Sequence, residues 1–123
     1  MKQYTTPTIP IQIPIDLNKI SRVEFIFKKL VDTCTNKDRY KSYPVLVHRI
    51  FNVDEIKTTE TEEIDGFEML LSLTAEETLK LPCGQVLMDT LIILTDGSIP
   101  ETELTIFEIS PTLFEGVDSD GKP

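Results

Sequence analysis

Tryptophan is absent from this chain, histidine occurs once, and the five glycines are scattered. Each scarcity closes a route. Without clustered glycines there is no loop to cradle a phosphate. His48 with Cys34 and Cys83 cannot make a four-ligand zinc site, and no C-x-x-C spacing occurs. No Gly-x-Ser-x-Gly elbow exists to frame a nucleophile. His48 lies within a strand-like stretch and reads as an ordinary half-exposed strand residue. Long apolar runs are also missing, which excludes a membrane-spanning helix. No basic stretch followed by an apolar one marks a secretory signal.

Bases are in short supply: 12 Lys/Arg stand against 21 Asp/Glu, a net charge of −9. Nucleic-acid binders draw affinity from phosphate neutralisation, so no nucleic-acid partner is expected. The imbalance is uneven along the chain. Residues 1–49 carry nine Lys/Arg and four Asp/Glu, whereas residues 50–123 carry three and seventeen. If the fold lays these halves on opposite sides, head-to-tail self-association follows naturally. If it interleaves them, both surfaces are simply solvated.

What is present suffices for one domain. In 123 residues, 40% are apolar, and a chain of this size buries about two-thirds of its surface on folding. Neither a disulfide nor a metal is needed, and two free thiols are expected.

Isoleucine at positions 9, 11, 13 and 15 has the period of two of a half-buried strand. Pro10 and Pro14 fall on the other face and lack donors, which assigns the strand to a sheet edge. A turn at Asp16–Lys19 leads into a strand over Ile20–Leu30, with Val23, Phe25 and Phe27 inward and Arg22, Glu24 and Lys28 outward. Residues 31–43 read as a long connection with room for a helical turn at Lys37–Tyr40. Pro44–Phe51 is a third strand. Six acids crowd Asp54–Asp65, with room for a short edge strand at Glu55–Thr59 that the acids would protect.

Phe67, Met69, Leu71 and Leu73 alternate as a further strand. Thr74 and Glu77 then make a capping box, and Pro82 keeps the helix short, about 75–80. Gln85–Thr95 is apolar on both faces, as a central strand is. Asp96-Gly97 is a hairpin signal, with the return strand from about Glu101 to Ile109 and room to extend through Phe114.

The pairs Glu62/Glu63, Glu76/Glu77 and Glu101/Glu103 read as solvated surface, since glycosidase chemistry needs a sugar-shaped cleft. Asp118–Gly121 echoes part of a calcium loop but lacks its closing Glu. No cofactor and no metal site are expected, and nothing argues for an enzyme.

These elements predict an all-β fold: an immunoglobulin-like antiparallel β-sandwich of six or seven strands with one short helix. In that topology Cys34 and Cys83 fall near opposite ends of their strands, beyond bridging distance. The expected organisation is a flexible N-terminus (1–7), a single sandwich domain (8–114) and a flexible tail (115–123).

Certain segments resemble a known group. They are Met1-Lys2-Gln3-Tyr4 with Pro7–Pro14, then Ile20–Phe27, then Leu73-Thr74-Ala75-Glu76-Glu77-Thr78-Leu79-Lys80-Leu81, and the strand ending Leu94-Thr95-Asp96-Gly97. Together they resemble small prophage-encoded proteins of Gram-positive, often gut-dwelling, bacteria, from the phage structural or morphogenesis region. The resemblance covers most of residues 1–109 and departs between the second strand and Gly66. It implies a non-enzymatic, virion-associated part (tail or head–neck) or an assembly accessory. The implied partners are other phage structural proteins or further copies of the chain, with no membrane partner. The implied location is the host cytoplasm during assembly, or the virion. No catalytic residues carry over.

Alternatives are an acidic inhibitor that mimics DNA charge and binds a basic host protein, or a small surface-binding module. For the interaction reading, the contact candidates are Arg39, Tyr40 and Tyr43, because aromatic and Arg side chains favour interface centres. Capping of the core is the other role open to the two tyrosines. Edge-strand pairing through Ile9–Ile15 or Glu101–Ile109 is the expected mode of contact.

Overall fold

The computed structural model describes residues 1–59 and 66–113. Two antiparallel sheets face each other. β1 (Thr8–Ile13) pairs with β4 (Phe67–Ser72). The larger sheet has the spatial order β3 (Val47–Asn52), β2 (Ile20–Lys29), β5 (Gly84–Leu94), β6 (Thr105–Ile109). Beyond β4, Thr58 bridges Met69, where a short edge strand was expected. Among the described residues, the molecule is an all-β sandwich of a two-stranded and a four-stranded sheet. The larger sheet follows the expected immunoglobulin-like order, and the smaller has two strands where that fold has four.

The core forms where the two alternations meet. Val23, Phe25 and Phe27 of β2 are fully buried, as are Met69 and Leu71 of β4. Val86, Met88 and Ile92 of β5 complete the same layer. Each such side chain contributes about 1.5–3 kcal/mol on burial. β5 is central, hydrogen-bonded to β2 on one edge and β6 on the other; its second apolar row, Leu87, Leu91 and Ile93, lies on the outer face of the sheet. Between the sheets, α1 (Ala75–Leu79) is capped as its sequence predicts: Glu77 N donates to Thr74 Oγ1 (3.1 Å), and Thr74 N donates to Glu77 Oε1 (2.9 Å).

Two edges differ from expectation. In β4, Glu68 O accepts from Thr59 N (3.0 Å) and Leu70 N donates to Lys57 O (2.8 Å). Even-numbered residues of β4 therefore turn their backbone away from β1, and Met69 and its odd-numbered neighbours turn theirs toward it. By register, Ile9, Ile11 and Ile13 bond to β4, and Pro10 turns its donor-less nitrogen to the open side. β1 is an edge strand as expected, but one blunted against strand addition.

The second difference lies in the hairpin. Met88 pairs with Thr105 and Gly84 with Ile109, and the chain reverses between Leu94 and Ser98, where Gly97 N donates to Leu94 O (2.9 Å) and Leu94 N to Ser98 O (3.0 Å). Yet pairing begins only at Thr105, not at Glu101. Pro100 cannot donate to a ladder, and other groups satisfy the vacated edge of β5. Thr90 N donates to Asp89 Oδ1 (2.9 Å), and the Thr102 hydroxyl donates to Thr90 O.

Residues 1–7, set apart from the sandwich in the expected organisation, hydrogen-bond to its end. Gln3 N donates to Ser110 O (2.9 Å) and Ser110 N to Met1 O (2.7 Å). The Gln3 side chain is buried and donates to Leu81 O (2.7 Å). Thr78 Oγ1, on the buried side of α1, donates to Thr5 O (2.9 Å). The sandwich therefore takes in these residues, whose polar composition hid their partners. The third strand is shorter than expected, since Pro44 to Leu46 lead into it. Pro111 and Thr112 do not extend β6. The tail 115–123 and the Asp118–Gly121 echo lie outside the described residues.

Candidate interaction face

The outer face of the larger sheet carries the even-numbered residues of β2 and the residues opposite them. Register sets Glu24 between Ile50 and Leu91, Ile26 between His48 and Asp89, and Lys28 beside Leu87. A strand face turned to water is normally polar. Here it is mixed: Ile50 and Ile106 are exposed, and Ile26, Leu91, Ile93 and Leu104 are half-buried.

Glu24 sits in the middle of this face and is only 9% exposed. A carboxylate so covered needs charged partners. Arg22 supplies the charge, its Nε 2.8 Å from Oε2, and His48 Nε2 lies 2.7 Å from Oε1. Alternation placed Glu24 outward. It could not show that the neighbouring strand would set His48 diagonally across from it, because register is a tertiary property.

The connection between β2 and β3 folds over one end of the face. Its turn at Lys37–Tyr40 is a 3₁₀ helix, as the sequence predicted, and Asn36 caps it by accepting from Asp38 N (3.0 Å). Tyr40 is buried and holds the connection together. Its hydroxyl donates to Cys34 O (2.5 Å) and accepts from Val31 N (3.0 Å). Tyr43 packs edge-on against it, ring centroids 5.3 Å apart. Lys28 Nζ donates to Tyr40 O (2.6 Å). Tyr40 thus anchors the connection; Leu87, on the outward row of β5, is buried and walls the same cavity as Tyr40. Cys34 and Cys83 are both free thiols.

Arg39 lies on the exposed side of the turn and pairs with Asp32 at 3.2 Å. The side chains of Cys34, Tyr43 and Asp32 together raise its pKa above the ordinary arginine range. Arginine is charged at any working pH, so this changes no protonation state. Of the three contact candidates, only Arg39 presents its head group to solvent. Tyr43 is half-buried beside Tyr40.

Beneath the connection lies a cavity of about 280 Å³, walled by Ile26, Leu87, Leu104 and Tyr40 and rimmed by Lys28, Lys37, Lys41 and Asp89. Lys37 Nζ closes one side by donating to Asp89 Oδ1 (3.0 Å) and Thr102 O (2.7 Å). Small-molecule sites usually span ~300–1,000 Å³. This one suits a single protruding side chain. No known family, curated protein or solved structure matches the chain. Chemistry must therefore be read from the geometry.

Among the described residues, no three His, Cys, Asp or Glu side chains converge as a metal site requires. No helix there is long and apolar enough to cross a membrane. The arrangement offers a rigid, part-apolar face, a charged cluster locked by its own partners, and a shallow socket. Those are the parts of a contact surface.

Proposed function

We propose that this chain is a non-enzymatic structural or interaction protein of phage origin, a virion-associated part or an accessory to assembly. The observation that carries the reading is the outer face of the larger sheet. It leaves Ile50 and Ile106 exposed, with Ile26, Leu91, Ile93 and Leu104 half-buried on the same face. Exposed apolar side chains on a rigid sheet favour contact with other proteins. The phage assignment rests on the resemblance read over most of residues 1–109 and on no matched relative.

The second reading is the acidic inhibitor. It calls for free acids on one continuous surface; residues 84–109 carry five acids and no Lys or Arg, and of these acids Asp89 is paired with Lys37. The deciding experiment is quantitative mass spectrometry of particles purified from the induced source strain. A fixed copy number is expected. Expression in induced cells without incorporation would remove the virion reading and leave the assembly accessory.

A further inference from the structure

We infer that copies of this chain associate head to tail, the β6 side of one against the β3 edge of the next. Charge, apolar exposure and strand direction converge on this contact.

The charge imbalance read along the sequence is laid out across the larger sheet. β2 and β3 carry Arg22, Lys28, Lys29 and Arg49 against a single acid, Glu24. Residues 84–109, which build β5, the hairpin and β6, contain five acids and no Lys or Arg. With the connection and the turn after β3 included, residues 20–56 carry seven Lys/Arg against five acids, Arg22, Lys37 and Arg49 being ion-paired, so the β3 side is weakly positive and the β6 side acidic. Two β6 sides repel and unlike sides attract.

Apolar exposure follows the same two flanks. Of the seven large apolar residues exposed among those described, Val45, Ile50 and Val53 lie in or beside β3, and Ile99, Ile106 and Leu113 lie in or around β6; Tyr4 is the exception. Exposed apolar residues on a sheet edge invite another chain.

Backbone direction permits the contact. Phe27 O accepts from Leu46 N (2.8 Å), so the odd-numbered residues of β2 face β3. By register His48 and Ile50 then turn their N–H and C=O groups to the open side. On the other flank, Met1–Gln3 cover Glu108–Ser110, and among the described residues no strand pairs with the outer edge of β6 around Ile106. Each neighbouring pair in the sheet is antiparallel, so β6 runs opposite to β3. A second copy set alongside without being turned over therefore meets β6 antiparallel, with its Ile50 beside Ile106 of the first. Such a contact is heterologous and repeats into a ring or a filament.

The inference rests on the interaction reading but fails separately from it: a monomer found at fixed copy number in particles overturns the stacking alone. The test is light scattering behind size-exclusion chromatography, across protein concentration and salt. The wild type is expected above monomer mass, growing with concentration and shrinking as salt screens the flanks. Ile50→Asp and Ile106→Asp proteins are each expected to be monomeric. Mixed in equal amounts they should form a dimer and nothing larger, since each contributes one intact flank. That recovery also shows that both variants fold. Two results would overturn the inference. One is a wild type monomeric throughout. The other is association that survives Ile106→Asp but not Ile50→Asp, which identifies a two-fold contact through β3 alone.

Discussion

His48 Nε2 lies 2.7 Å from Glu24 Oε1, although register places Ile50, not His48, directly opposite Glu24. The pair is a diagonal one across adjacent strands, within reach of long side chains. It binds β3 to β2 on the side of the sheet away from the core.

A double-mutant cycle with Glu24→Gln and His48→Ala measures that link. A coupling of about 0.5–1.5 kcal/mol is expected from urea unfolding at neutral pH, as for a partly covered charged hydrogen bond. Additivity within about 0.3 kcal/mol would show that the two side chains are near without interacting.

Tyr40→Phe separates anchoring from contact. The substitution keeps the ring against Tyr43 but strips the hydroxyl from Cys34 O and Val31 N. A loss of about 1–3 kcal/mol is expected from these groups left without their partner. Amide exchange at Val31 should rise with it. An unchanged unfolding midpoint would return Tyr40 to the list of contact residues.

Gly66→Ala and Gly97→Ala should differ sharply. Both glycines have positive φ, but a Cβ at Gly66 would lie 2.0 Å from Ile13 O, whereas one at Gly97 meets open space. Gly97→Ala is expected to cost about 1–2 kcal/mol, the strain of a left-handed residue. Gly66→Ala adds a backbone clash between β4 and the end of β1 and should cost about 3 kcal/mol or more. Equal losses in thermal unfolding would show that the close approach is not rigid.

Asp96 gives the hairpin turn a pH dependence. Its carboxylate accepts from Ser98 Oγ (2.6 Å) and Ser98 N (2.9 Å), and these bonds hold its pKa below the ordinary aspartate value. A depressed folded pKa stabilises the fold above the unfolded value, and that contribution is lost as pH falls through the folded one. The wild type should therefore exceed Asp96→Asn in stability at neutral pH, with the gap closing in strong acid. Ser98→Ala should flatten the profile. A gap that persists undiminished in acid would assign the effect to shape and not to charge.

Much of the sandwich was legible in the chain. Period-two isoleucines, the Thr74–Glu77 cap and the apolar faces of residues 85–94 are local patterns, and local sterics and burial suffice to produce them. The Pro10 edge was legible for the same reason: a missing donor is missing in any fold. The sequence alone therefore determined the strands, the short helix and the sandwich class. It did not show that Gln3 has buried partners, that Glu24 meets His48, or that Tyr40 turns inward. Each depends on which residue of a distant strand arrives opposite, and register is set by the packing of the whole core. Where pairing in the hairpin breaks off depended on Asp89, Thr102 and Lys37 meeting across three segments. The charge asymmetry was visible as a count. Only the order β3-β2-β5-β6 turned it into two opposed flanks, because strand order and not chain order decides which charges become neighbours.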